Sequence, residues 1–123
     1  MAVELTEREL DVMEVLWREG SGTVGEVRRK LKDPLAYTTV LTVLRTLEAK
    51  EIVRHEGEGK AYRYLPRVRR EDVVHGAVRR LVRRLFRGSP EMLVTHLMND
   101  HKVSAEELRR LKALVNARLE EDE

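Results

Sequence analysis

The sequence has 123 residues, of which 41% are hydrophobic and 37% charged, with a formal net charge of +2 and no cysteine. That length suits one compact domain, or a small domain with an appended element, and leaves room for self-association to extend a modest core. The lack of cysteine excludes disulfides, thiolate metal sites and cysteine nucleophiles; the start, "MAVELTEREL", lacks the layout of a secretory leader, and no apolar run approaches the roughly 20 residues of a membrane span, so a soluble cytoplasmic protein without membrane insertion is expected.

The small net charge hides an uneven distribution. Residues 1–66 carry −1, residues 67–88 carry +6 and residues 89–123 carry −3. A positive block in mid-chain points to a polyanion, to an anionic surface or to a solvated arginine-rich helix face.

In chain order, Thr6 with Glu9 forms a capping box, and Leu10, Met13, Leu16 and Trp17 follow at helical spacing until Gly20-Ser21-Gly22. A first helix is predicted over residues 7–18. Thr23 with Glu26 repeats the box, Val24, Val27 and Leu31 form the buried stripe, and Asp33-Pro34 closes a second helix over 24–32.

A third helix is predicted over 37–50, "YTTVLTVLRTLEAK". At about 100° per residue, Val40, Val43, Leu44 and Leu47 share one arc, Leu41 lies at its border, and Thr38, Thr39, Thr42, Arg45 and Thr46 stand opposite. β-Branched hydroxyl residues are mediocre helix formers, so four on one outward face call for a reason. The face has no negative charge and can lie against a polyanion.

The stretch "IVRHEGEGKAYRYLP" reads as a β-hairpin over 52–65, with two β-prone runs flanking Gly57-Glu58-Gly59. Alternation places Tyr62 and Tyr64 on the face toward the helices, with Ala61, Arg63 and Leu65 on the other, and Lys60 and Arg63 near the tip and edge. A fourth helix follows over 71–87. Val74, Ala77, Val78, Leu81, Val82, Leu85 and Phe86 fill one half of its wheel, and Arg79, Arg80, Arg83, Arg84 and Arg87 the other. Gly88-Ser89-Pro90 ends it, a short helix covers 91–99, and Ser104 with Glu107 caps a last helix bearing Leu108, Leu111, Leu114, Val115 and Leu119.

Three short helices followed by a hairpin within 66 residues is the order of a winged helix, the helix-turn-helix variant whose third helix enters the DNA major groove. The expected fold is mainly α with a small β-hairpin: a winged-helix DNA-binding domain over 1–66, then a helical region over 67–123. Threonine hydroxyls on the third helix can meet phosphates or base edges, the methyls of threonine and Leu41 can meet thymine methyls, and Arg45 can reach guanine or the backbone. Lys60 and Arg63 are the wing's candidates for phosphate.

The segments "LTERELDVMEVLW", "TVGEVRRKL", "AYTTVLTVLRTLEAKEIV" and "GKAYRYLP", in this order and spacing, resemble the penicillinase-repressor family of bacterial BlaI, MecI and CopY-type regulators. The resemblance continues more loosely through "VSAEELRRLKALV". It implies a homodimer that binds a palindromic operator, represses transcription and pairs through the helices after about residue 70. On that reading Val74, Val78, Leu81, Leu85, Leu108, Leu111 and Leu114 are the dimerisation residues. Copper-responsive members end in a cysteine-rich tail that this chain lacks. Members released by a membrane-bound sensor protease are cut at an Asn-Phe bond; the matching bond here is His96-Leu97, a departure that argues against the same protease.

No cofactor, metal or catalysis is expected. His96 and His101 are five apart, a spacing that splays them on a helix, His55 and His75 lie elsewhere, and there is no nucleophile and base pair or glycine-rich phosphate loop. An alternative function is an interaction adaptor or membrane-surface protein using the amphipathic helix 71–87, although one phenylalanine and no tryptophan make that helix a thin bilayer anchor.

Overall fold

A computed structural model describes residues 4–58, 62–100 and 102–123. The chain runs α1 (Glu7–Glu19), β1 (Gly22–Thr23), α2 (Val24–Lys30), α3 (Tyr37–Ala49), β2 (Val53–Glu56), β3 (Arg63–Pro66), α4 (Arg70–Leu85), α5 (Pro90–Met98) and α6 (Ala105–Asp122). It divides into two compact units, Met1–Arg79 and Arg80–Glu123, with the division inside α4.

In the first unit both expected capping boxes form. Thr6 Oγ1 accepts from the Glu9 amide at 3.1 Å while Glu9 Oε1 accepts from the Thr6 amide at 2.8 Å. Thr23 and Glu26 repeat this at 3.2 and 3.4 Å. Each box satisfies amides that a helix start would otherwise leave without partners. Gly20 ends α1 at φ +88°, a left-handed conformation suited to glycine, and its amide donates to the Leu16 carbonyl at 2.8 Å.

β1 extends the expected hairpin into a three-stranded antiparallel sheet, ordered β1-β3-β2. Gly22 pairs with Tyr64 and Thr23 with Arg63, while β2 pairs with β3 from Val53 opposite Pro66 to Glu56 opposite Arg63. Gly22 is buried so tightly that an added Cβ would stand 3.0 Å from Val27 Cγ2. The strand between Gly22 and Thr23 thus serves both as a sheet edge and as the cap of α2.

The core gathers one face from each element: Val12, Met13 and Leu16 of α1, Val27 of α2, Val40, Leu44 and Leu47 of α3, then Val53 and Tyr64 of the sheet, each fully buried. Burying one such side chain is worth about 1.5–3 kcal/mol. Tyr64 lies in the core and Tyr62 packs partly against it, as the alternation predicts. Burial also raises the Tyr64 phenol above its ordinary pKa, helped by the nearby Glu48 carboxylate. The segment leaving β3 is tied back to α1 by Trp17 Nε1, which donates to the Val68 carbonyl at 3.0 Å. The buried Val73 belongs to the first turn and a half of α4.

The second unit is built differently. Ser89 and Ser104 cap α5 and α6 through the amides of Met92 and Glu107, yet neither helix buries a single residue. Among the described residues no helix is long and apolar enough to cross a membrane.

Candidate nucleic-acid interface

The third helix meets the core through the arc that periodicity assigned to it, with Val40, Leu44 and Leu47 buried and Val43 and Leu41 partly so. That fixes its rotation. Thr38, Thr42, Arg45 and Thr46 are exposed and Thr39 is half-buried. The helix has no acidic residue in its first turn and none before Glu48. An outward face of hydroxyls, methyls and one guanidinium is therefore held on a close-packed support.

The hydroxyls are not all equivalent. Thr42 Oγ1 donates to the Thr38 carbonyl one turn back at 2.9 Å. This local bond uses the proton of Thr42, leaving its oxygen as an acceptor and its methyl as an apolar contact. The Arg45 side chain makes no hydrogen bond or ion pair among the described residues. Tyr37, which sequence reasoning did not single out, stands at the first position of α3, 47% exposed, beside the threonine face. An aromatic directly before two threonines in "AYTTV" was the available signal.

The far end of α3 is braced twice. Lys50, at its C-cap, places Nζ 2.8 Å from Oε1 of the buried Glu9 on α1. Burial pushes the Glu9 carboxyl up, but the hydrogen bond from Lys50, the Thr6 amide and the charge of Lys50 outweigh it and hold the group below the usual carboxylate range. Glu48 meets His55 Nδ1 of β2 at 2.5 Å, and the His55 ring stacks on Tyr62 with centroids 4.0 Å apart.

In the hairpin, Lys60 lies outside the described residues. Arg63 is held by neighbouring side chains. Its guanidinium forms a two-pronged pair with Glu26, Nη2 to Oε1 at 2.8 Å and Nη1 to Oε2 at 3.1 Å, and also reaches Ser21 Oγ at 3.0 Å. The antiparallel pairing of β3 with β1 brings Arg63 opposite Thr23 and hence beside the first turn of α2. Hydrogen bonds from Arg63 and the Thr23 amide lower the Glu26 pKa. Arg54 is likewise paired, with Glu56 at 2.8 Å.

Farther along, Val74, Val78, Leu81 and Leu85 on α4, with Leu108 and Leu114 on α6, are between 37% and 70% exposed, and Leu111 is half-buried. His96 and Leu97 are exposed in the last turn of α5. Among the described residues no group of three His, Asp or Glu side chains is placed to hold a metal.

Comparison with known proteins bears on this arrangement. A family profile described as Penicillinase repressor matches residues 5–117. The transcriptional regulator BlaI of Mycobacterium tuberculosis is 36% identical over 120 residues, 92% of this chain and 86% of that protein. The penicillinase repressor of Bacillus licheniformis is 26% identical over 110 residues, 88% of this chain and 86% of its own. Among solved structures, the monomeric form of Bacillus licheniformis BlaI in complex with the blaP half-operator superposes with a TM-score of 0.50 at 28% identity, over 58% of this chain and 90% of that one.

Proposed function

The chain belongs to the penicillinase repressor family of DNA-binding transcriptional repressors, and from that premise we propose that it acts as a homodimer on a palindromic operator, reading each half-site with α3. The observation that carries this reading is the acid-free face of exposed Thr38, Thr42, Arg45 and Thr46 and half-buried Thr39, fixed in rotation by the buried Val40, Leu44 and Leu47. Arg45 reads guanine or grips phosphate, Thr42 accepts from an amino group or meets a thymine methyl, and Leu41 adds apolar contact at the border. Tyr37 adds a hydroxyl for phosphate at the start of the helix.

DNA reading is assigned to residues 1–66 and pairing to 67–123, with α4 starting in the first unit through Val73 and continuing into the second. The exposed apolar residues of α4 and α6 supply the pairing surface. Two copies set their recognition helices one or more DNA turns apart, roughly 34 Å per turn, and occupy the promoter in place of polymerase. Such a repressor works in the cytoplasm. Relief by a sensor protease that accepts His96-Leu97 would remove part of the pairing region.

The test is an electrophoretic mobility assay on DNA fragments selected by the wild-type chain. Replacing Thr42 and Arg45 by Ala is expected to lose about 1–3 kcal/mol of discrimination for each base contact removed, while circular dichroism stays unchanged. Undiminished sequence preference in the folded double variant would contradict the assignment.

A further inference from the structure

The apolar half of α4 has its use in pairing, but its basic half does not. Residues 79–87 hold five arginines and no acid, and Arg79, Arg83 and Arg84 project from one side of α4, all exposed. Among the described residues the side chains of these three make no ion pair or hydrogen bond. Elsewhere Arg18, Arg54, Arg63, Arg69, Arg70 and Lys50 each meet a carboxylate.

The opposite imbalance occurs at the end of α6. Glu120, Glu121, Asp122 and Glu123 follow one another, all exposed. Among the described residues only Asp122 of these has a cation, Arg118 one turn back at 3.5 Å. The last turn of α6 has no basic residue, so the carboxylates face the negative end of their own helix dipole. Their placement disfavours the isolated helix, and an external cation would offset that. Directly before them on α6 stand Leu114, Val115 and Leu119, all more than half exposed. The acidic run therefore continues an apolar surface of the same kind that adjoins the arginines on α4.

We propose that the arginine stripe of α4 in one copy receives the acidic end of α6 from a second copy, so that the pairing region carries an electrostatic clasp around its apolar centre. The proposal rests on the homodimer reading. By twofold symmetry the contact occurs twice in each dimer. Opposed charges at the margin of an interface choose partner and register more than they add affinity, while like charges set against each other penalise association strongly.

That asymmetry supplies the test, with full-length chains and native mass spectrometry backed by sedimentation. Variant one is Arg83→Glu with Arg84→Glu; variant two is Glu120→Lys with Glu121→Lys. Alone, each sets like charges at both contacts, and each is expected to weaken self-association by about tenfold or more at low salt. Mixed, they restore opposite charges at both contacts, one swapped and one native, and a mixed dimer is expected to form in preference to either parent dimer. Circular dichroism establishes that each variant is folded.

Random mixing, or unchanged self-association of both variants, overturns the clasp. Leu81→Glu separates this from failure of the dimer reading: a wild type that dimerises and a Leu81→Glu chain that does not would leave the dimer standing without the clasp. A wild type that never associates removes both. If variant one dimerises normally but loses affinity for DNA, the stripe serves nucleic acid and the proposal fails.

Discussion

The two units of this chain use similar residues to opposite ends. In the first, the leucines and valines of three helices and a small sheet close on one another, and Leu16, Leu44 and Leu47 are fully buried. In the second, α5 and α6 contain no buried residue, and leucines of the same kind stand open on α4 and α6. A fold of the first kind closes its own core and can hold an exposed helix face steady. The second presents more apolar surface than a short helical segment ordinarily leaves in water, which on the proposed reading is covered by a second copy.

Core truncation gives the sharpest contrast. Leu44→Ala is expected to destabilise the first unit by about 2–5 kcal/mol, a large share of a small domain's stability, as read by urea denaturation. Leu81→Glu should instead leave the first unit folded and produce monomers in sedimentation. Because a dimer holds two half-sites through one linked body, its operator affinity should then fall by far more than half. Equal destabilisation of the first unit by both changes would erase the distinction between the units.

A smaller effect is expected at the base of α3. Glu9 is held below the usual carboxylate range, mainly by Lys50 once burial is overcome, so the unfolded chain binds its proton more tightly than the folded one. The stability contributed by this group is present above about pH 4.3 and is lost as pH falls through the lower folded value. Lys50→Met leaves the buried carboxylate without its cation and should cost about 1–3 kcal/mol at neutral pH, with a flatter melting profile toward acid. Unchanged acid sensitivity would remove the pair from the account.

The smallest effect is expected at Arg63. With its guanidinium held by Glu26 and Ser21, Arg63→Ala should loosen the junction of β3 with the start of α2 and leave the salt dependence of DNA binding unchanged. A slope reduced by about one unit would show that Arg63 leaves Glu26 for phosphate in the complex.

Much of the first unit was legible in the sequence because its signals are local. The Thr6 and Thr23 capping boxes, the 3.6-residue spacing of Val40, Leu44 and Leu47, and the alternation that buries Tyr64 each lie within one short segment. What escaped depends on register between distant segments. β1 is two residues long, too short for any period, and exists because β3 runs beside it. The same pairing sets Arg63 against Glu26, across 37 positions of sequence. Glu9 and Lys50, 41 positions apart, were hidden for the same reason. The arginines of α4 were visible as a charge stripe, but a wheel cannot say what faces it.

Sedimentation equilibrium of the wild-type chain tests the contrast between the two units most directly. A species of twice the 14.3 kDa chain mass, dissociating on dilution, is expected. A chain that stays at 14.3 kDa at every concentration reached would contradict it.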